Sequence, residues 1–465
     1  MKVLKFGGTS VGTPESLAFV KKIVESLDEP AVVVVSALGG ITDKLIATAR
    51  LAADSDPAYK SNMREIRERH YSVINSVTLP GKAPETLGVV EPLLNELSSL
   101  YDGIALIGSL PAKILDQIVS YGERISSVIV SRMIEGASHL DSLEFIKTER
   151  WFNRHIADTP LTDRLIKEAF TNLGKNSTAV CGGFISTDRD TGVTTNLGRG
   201  GSDYTAALIA AALDAKCLEI WTDVDGFMTA DPRIIPSAEV IDSLSFVESM
   251  ELCSFGAKVV YPPTIYPVFH KNIPIRILNT FRPHLSGTWI TDRQTSSHTD
   301  NPSVKGVTSM TNVSLIEMKG EVVENIPEIN SRTFNSLAKN GISVLLVSQQ
   351  SSGSKFSFAV ATADLSRAIS SLQTEFAPDL EEGSMNGFTS ESEMAIIAAV
   401  GEGIGGISTI GPRIRHTFQR AGITVKASSH GSSAASQVCV IREERVKEAL
   451  QLIHEMFFGR MESDI

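Results

Sequence analysis

Apolar positions recur along this chain with two periods, and their alternation predicts most of its elements. Val3 to Phe6 forms a short strand, and Gly7-Gly8-Thr9-Ser10 a tight turn after it. A helix follows from Thr13 or Pro14 to about Leu27, with Pro14 in its first turn, where proline is tolerated. Ala31 to Ala37 is a β-branched run without alternation, as expected of a strand buried on both faces of a parallel sheet. Strand, turn, helix and buried strand make a βαβ unit. Gly39-Gly40-Ile41-Thr42-Asp43 turns into another helix, and residues 44 to 135 keep a helical period interrupted between Pro80 and Pro84. Thr178 to Cys181 reads as a strand leading to Gly182-Gly183-Phe184-Ile185, and the Asp-Arg-Asp-Thr-Gly run at 188–192 as a hairpin tip. Strands are further expected at Cys217 to Thr222 and Ile275 to Leu278. Strands alternating with helices to about residue 292 predict an α/β domain with a mainly parallel sheet.

One stretch stands at the centre of this pattern. Residues 196 to 213 run Asn-Leu-Gly-Arg-Gly-Gly-Ser-Asp-Tyr-Thr and then into an Ala-rich helix with Leu208 and Ile209 on a buried face. Ser202 or Asp203 is the expected N-cap. Glycines 198, 200 and 201 feed a helix start, where free N–H groups and the positive end of the helix dipole favour an anion. Arg199 adds a guanidinium suited to a carboxylate or phosphate. Asp203 does not suit a pure anion site and is expected to orient a cation. On this stretch alone, a glycine turn with a good cap serves equally well.

Composition narrows the classes. At 465 residues the chain exceeds one typical domain, and 42% hydrophobic with 21% charged residues is ordinary globular material. A net charge of −11 without a basic cluster argues against nucleic acid or an anionic membrane as the main partner. The four cysteines at 181, 217, 253 and 439 form no CxxC pair, which speaks against zinc and against a disulfide framework. No apolar run approaches the roughly 20 residues of a membrane helix, and the chain enters a strand at once, without a signal peptide. A reducing cytoplasm is the expected compartment.

Residues 291 to 303 are polar and mark a boundary, giving a first domain of 1–292 and a linker of 293–303. Beyond it the chain repeats itself at an offset of 81: Gly341-Ile342 with Gly422-Ile423, Val344 with Val425, Val360 with Ile441, Ile369 with Leu450, Phe376 with Phe457. The modules are set at 304–390 and 391–465, with 304–310 assignable to the second.

Lys5-Phe-Gly-Gly-Thr-Ser10, Gly198-Arg-Gly-Gly-Ser-Asp203, Thr222-Asp-Val-Asp-Gly226 with Asp231-Pro-Arg233, and Gly256-Ala-Lys-Val259 resemble the motifs of the aspartate kinases, in order and spacing. The C-terminal repeats resemble that family's amino-acid-sensing ACT modules. The resemblance covers essentially the whole chain. It implies a three-layer αβα sandwich, the amino-acid kinase fold, followed by a tandem pair of α+β ACT modules. The implied reaction is MgATP plus L-aspartate giving 4-phospho-L-aspartate and ADP, a first step towards lysine, threonine and methionine, under feedback control. A carboxylate nucleophile, with an ordinary pKa of about 3.9, needs no general base. The site must instead bring two anions together and stabilise charge on the transferring phosphoryl group.

By resemblance, Lys5 stabilises the phosphoryl group and Asp203 orients it. Glu123 and Arg199 bind the substrate's α-ammonium and carboxylate, with Ser36, Thr42, Gly200 and Ser202 beside them. A strand end and a helix cap serve nearly as well for Ser36 and Thr42. The nucleotide is expected on Lys5, Gly7, Gly8, Thr222, Asp223, Met228, Arg233, Lys258 and Val259, with Mg²⁺ held mainly by its phosphates and no protein metal site. Met228 stands where the family commonly has tyrosine, which alters ATP affinity without removing binding. Gly401-Glu-Gly-Ile-Gly-Gly406 matches a dinucleotide motif, but the next strand, at Gly422 to Ser428, ends without the required acid.

The effector loop of the first module, Val347-Ser-Gln-Gln-Ser-Ser352, resembles that of threonine-sensing bifunctional enzymes. Gln349, Gln350 and Ser351 are the expected effector contacts, with His430 at the matching place in the second module, where those relatives tend to have Gln. Threonine is the favoured effector and lysine the second candidate. The chain stops just after the last helix, at Phe457-Phe458, and the loop favours the kinase part of a bifunctional enzyme over a complete monofunctional one. A homo-oligomer through the ACT modules is expected. The rival readings are a kinase of another carboxylate and an amino-acid-sensing regulatory protein.

Overall fold

The computed structural model describes residues 1–151, 154–171, 174, 177–292, 304–319, 326–349, 355–402, 404, 409–430 and 435–459, excepting the side chains of 319, 326, 349, 355 and 430. It divides into two units, the first comprising Met1–Phe227 and Val259–Gln294, the second Met228–Lys258 and Thr295–Ile465.

In the first unit the β-branched runs associate as their patterning requires. The strands lie in the order Thr288–Ile290, Ile275–Asn279, Leu218–Thr222, Lys2–Phe6, Ala31–Val35, Thr178–Gly182, Ser138–Leu140. All neighbours are parallel except Thr288–Ile290, which runs antiparallel to Ile275–Asn279. Leu4, Phe6, Val33 and Val35 join one core with the helices Pro14–Glu25, Ile41–Ala53, Ala58–Val77, Ala83–Ile107 and Ala112–Met133. Val3, Val32 and Val34, pointing the other way, are fully buried as well, on the face where helix Gly201–Ala212 packs. Helices on both faces explain why these strands show no alternation. A smaller sheet, Arg154–Ala157, Lys147–Trp151, Ile185–Asp188 and Thr194–Asn196, carries the hairpin expected at 188–192.

The chain leaves Lys2–Phe6 for Ala31–Val35 on one side and later fills the other side with Leu218–Thr222. The first strand is therefore a topological switch point, and the crevice at its carboxyl end is where open α/β sheets bind ligands. Lys5, Gly7 and Gly8 stand there. Backbone hydrogen bonds hold the strand ends level: Gly7 N–H donates to Trp221 O at 3.2 Å, Ser36 N–H to Phe6 O at 3.1 Å and Gly183 N–H to Val35 O at 2.8 Å.

In the second unit the 81-residue repeat is a structural duplication. Strands Gly306–Lys319 and Gly387–Val400 pair antiparallel at the middle of a six-stranded sheet, with Gly306 opposite Val400 and Lys319 opposite Gly387. Lys355–Ala361 then Val344–Gln349 flank one side, and Ser436–Arg442 then Ala427–His430 the other. Helices Leu365–Glu375 and Val446–Phe458 occupy matching places. Gly341 and Gly422, at φ 66° and 69°, make the same left-handed turn after the first helix of each module.

Within the expected first domain of 1–292, residues 228–258 pack apart from their chain neighbours. Residues 228–258 belong with the second unit: Val307 N–H donates to Thr229 O at 2.8 Å, and Ala230 and Ile235 share a core with Ile397, Phe418 and Ile453. Distant hydrophobic burial decides their place, and the polar linker carries no sign of it.

Candidate active site

Lys5 is the next-to-last residue of its strand and shares the orientation of Val3, towards helix Gly201–Ala212. That helix starts earlier than expected. Gly200, at φ 70°, is the N-cap, not Ser202 or Asp203, because a left-handed residue lets the chain turn in directly. Asp203 thus sits in the first turn with its carboxylate free of capping, and its Oδ1 lies 2.5 Å from Lys5 Nζ. Both side chains are only 12% exposed. Lysine and acid meet where the dipole of the helix is positive, which also favours the carboxylate.

The turn after the second strand is built from the opposite side. Helix Ala112–Met133 docks on it through Gly122, where a Cβ would lie 2.7 Å from that of Ala37, and through Ser126, whose Oγ donates to Ser36 O at 2.8 Å. This close approach brings in Glu123, which is 4% exposed. Its Oε1 accepts from Ala37 N–H at 3.1 Å, while Oε2 is buried without a hydrogen-bond partner. Burial pushes its pKa up from 4.5 to about 8, against the lowering effect of the Ala37 amide. A buried carboxyl with an open acceptor favours a cationic ligand group.

The two constructions face each other across a cleft of about 390 Å³. Lys5, Gly8, Ser36, Thr42, Glu123, Arg199, Gly200, Ser202 and Asp203 all line it, so every residue expected to act in catalysis or on the substrate is brought together. Ala37, Leu38, Gly39, Gly40, Asp43, Phe184, Gly198 and Gly201 complete the lining. Thr42 caps nothing, since Gly40 is the N-cap of its helix. Arg199 is exposed on its loop, and Gly198 N–H donates to Asn196 Oδ1 at 2.9 Å, while Asn196 Nδ2 donates to Asp116 Oδ1 at 2.7 Å. Asp116 lies on the same helix as Glu123, so one helix supports both sides of the cleft. Burial raises the pKa of Asp116, partly offset by Asn196.

Close packing also fixes Gly183. A Cβ there would lie 2.6 Å from Ser202 Cα, a backbone atom with no room to move. Gly183→Ala is expected to lower stability by about 1–3 kcal/mol through overpacking and to displace the start of helix Gly201–Ala212. A thermal unfolding midpoint equal to that of the parent would contradict this packing account.

The expected nucleotide set is divided. Gly7 adjoins Lys5, with an ideal Cβ 3.5 Å from Nζ. Thr222 and Asp223 end the neighbouring strand, Thr222 Oγ1 donating to Asp223 Oδ1 at 3.1 Å, and Val259 is half-buried in the same unit. None of these four lines the cleft. Met228, Arg233 and Lys258 belong to the second unit. There Arg233 is 82% exposed and fastened to Asp231, with Nε donating to Oδ1 at 2.9 Å and Nη2 to Oδ2 at 2.7 Å. Lys258 is exposed and lies beyond helix Phe246–Ser254.

Of the expected effector residues, Gln350 and Ser351 lie outside the described residues, as do the side chains of Gln349 and His430. Their neighbouring backbone is placed: Gln349 ends strand Val344–Gln349 and His430 ends Ala427–His430. The Gly401 to Gly406 loop is only partly described. Among the described residues, no group of three or more His, Cys, Asp or Glu could hold a metal ion, and no helix is long and apolar enough to cross a membrane.

The amino acid kinase family model matches residues 1–279, and the ACT domain model matches 316–376 and 397–457. The chain is 31% identical over 468 residues to a bifunctional aspartokinase/homoserine dehydrogenase of Haemophilus influenzae, covering 99% of this chain and 57% of that protein. It thus spans little more than half of that relative's length. It is 28% identical over 464 residues to the lysine-sensitive aspartokinase 3 of Escherichia coli, covering 98% of this chain and 99% of that one. The crystal structure of E. coli aspartokinase III in complex with aspartate and ADP superimposes with a TM-score of 0.82 at 26% identity, over 98% of this chain and 100% of that one.

Proposed function

The chain belongs to the amino acid kinase family, and from that premise we propose that it transfers the terminal phosphoryl group of ATP to the side-chain carboxylate of L-aspartate. The observation that carries this reading is the buried, unpartnered Oε2 of Glu123 in the same cleft as the Lys5–Asp203 pair. An α-ammonium satisfies Glu123. Arg199 takes the α-carboxylate in a bidentate grip. The β-carboxylate then points towards Lys5, ionised and needing no base.

Lys5 acts on the charge that develops as the phosphoryl group leaves ADP, and Asp203 holds its ammonium in place. The Gly7-Gly8 and Gly39-Gly40 turns offer backbone N–H groups without side-chain bulk. Thr222, Asp223, Met228, Arg233, Lys258 and Val259 are proposed for the nucleotide. Mg²⁺, held mainly by the nucleotide's phosphates, would neutralise their charge, with Asp203 orienting Lys5 and that cluster. Product release follows without proton transfer by the protein.

The ACT pair is proposed to bind an amino-acid effector and to join copies of the chain in a homo-oligomer. Threonine is favoured from Val347-Ser-Gln-Gln-Ser-Ser352, and the lysine sensitivity of the E. coli relative keeps lysine as the rival. A cytoplasmic setting suits a pathway enzyme of this kind.

The test is ADP formation with MgATP and, separately, L-aspartate, L-glutamate and N-acetyl-L-glutamate. Turnover with aspartate alone supports the reading. Turnover with another carboxylate and none with aspartate overturns it. Adding threonine is expected to suppress turnover at concentrations where lysine does not, and the reverse would refute the effector assignment.

A further inference from the structure

Arg69 lies behind the cleft, on helix Ala58–Val77, and no motif marks it. Its Nη2 donates to Gly12 O at 3.2 Å and to Gly39 O at 2.6 Å. These carbonyls belong to the two glycine-rich turns that follow the first and second strands. The turns touch backbone to backbone: a Cβ on Gly39 would lie 2.9 Å from Gly8 O and 3.5 Å from Gly12 Cα. A Cβ on Gly40 would lie 3.9 Å from Arg69 Nη1.

We propose that Arg69 is a positioning residue of the cleft, fixing the glycine turns at 7–12 and 36–40 against each other so that Gly8, Gly39 and Gly40 keep their places in its wall. Two carbonyl oxygens brought to one nitrogen repel each other unless a cation lies between them. The guanidinium answers this need because Nη2, with its two N–H bonds fixed in the guanidinium plane, donates to both carbonyls at once. Among the described residues no carboxylate lies within ion-pair distance of Arg69, so its charge is left to these carbonyls. Lys44 and Arg67, its neighbours in the helical region, are instead paired with Glu65 and Glu91. The arrangement differs from an ordinary surface arginine in this respect. Lysine also has donors enough for two carbonyls, but they rotate freely on a flexible stem and fix the turns less firmly.

Arg69 touches no reacting group. It acts through the turns, and loosening them misplaces both the phosphoryl group and the acceptor. The inference rests on the kinase reading for its readout. In Arg69→Ala, kcat with aspartate is expected to fall about 10- to 100-fold with a smaller change in KM, since sub-ångström misalignment acts on the transition state. Arg69→Lys is expected to lie between that variant and the parent. Guanidinium chloride at a sub-denaturing concentration should restore part of the activity of Arg69→Ala and none of that of the parent. Both variants retaining the parent's kcat and KM would overturn the assignment. So would a loss that follows a lowered unfolding midpoint and is not relieved by guanidinium. A parent chain inert with aspartate contradicts the kinase reading instead, and Arg69 is then judged by calorimetric binding of MgADP and of aspartate to the same variants: unchanged affinities for both would overturn it.

Discussion

Lys5→Ala is expected to lower kcat by roughly 10³-fold while leaving the KM for aspartate within about threefold, because a charge that meets the phosphoryl group in the transition state is worth far more there than in the ground state. Lys5 has no substitute in place. Among the described residues lining the cleft, Arg199 is the other cation, and it sits on the exposed loop, suited to the substrate's far carboxylate. Removing Lys5 also leaves Asp203 without its 2.5 Å partner in a site 12% exposed, where an unpaired carboxylate repels incoming phosphates. Lys5→Arg keeps the charge but changes its reach, and is expected to recover only part of the rate. Rates are read by ADP formation at saturating aspartate and MgATP. Unchanged kcat in Lys5→Ala would remove Lys5 from the chemistry.

Glu123→Gln is the second large effect, and its signature is pH. The carboxyl's pKa of about 8 lies above its ordinary 4.5 because burial penalises the charged form. In the free protein it is therefore mostly protonated at neutral pH, and an ammonium ligand must drive off the proton. Between pH 6 and 8, the KM for aspartate is expected to fall about tenfold per unit as pH rises, levelling above 8, as linkage to one proton requires. Glu123→Gln should raise KM at pH 8 by about 10²-fold, the value of a charge-assisted contact in a buried site, and abolish the slope. The sign for folding is opposite to that of an ion-paired acid. The unfolded chain ionises above 4.5 and the folded chain only near 8, so Glu123 costs stability progressively as pH rises through that window. Unfolding midpoints of Glu123→Gln and parent should accordingly diverge as pH rises from 5 to 8, with the variant gaining. A KM independent of pH in the parent would end the assignment of Glu123 to the ammonium.

These two residues also mark how far the sequence could be read. Lys5 was legible because a charged residue interrupts an apolar run immediately before two glycines, at the end of a strand. Glu123 was legible only through the family resemblance. Nothing local announces that Gly122, by admitting Ala37 Cβ so closely, carries the next residue into the interior. The N-cap of helix Gly201–Ala212 was misread because Ser and Asp are the usual caps, whereas Gly200 turned the chain through a positive φ and released Asp203 for Lys5. Residues 228–258 fall within the expected domain of 1–292 by continuity along the chain, and the burial of Ala230 and Ile235 with Val307, Ile397 and Phe418 is a long-range fact. Arg69 escaped for the same reason: its partners are main-chain carbonyls, 57 and 30 positions away, which no side-chain pattern reveals. The ACT duplication, by contrast, was visible in full, since a repeat carries its own register.

Glu123, Arg199 and Lys5 are proposed to present the side-chain carboxylate of aspartate to ATP. The most direct test is to incubate the chain with MgATP, L-aspartate and hydroxylamine and identify the product by mass. Aspartyl β-hydroxamate formed in step with ADP, and lost in Lys5→Ala, is the predicted result. ADP formed without the hydroxamate, or a hydroxamate of a different acid only, would contradict the account.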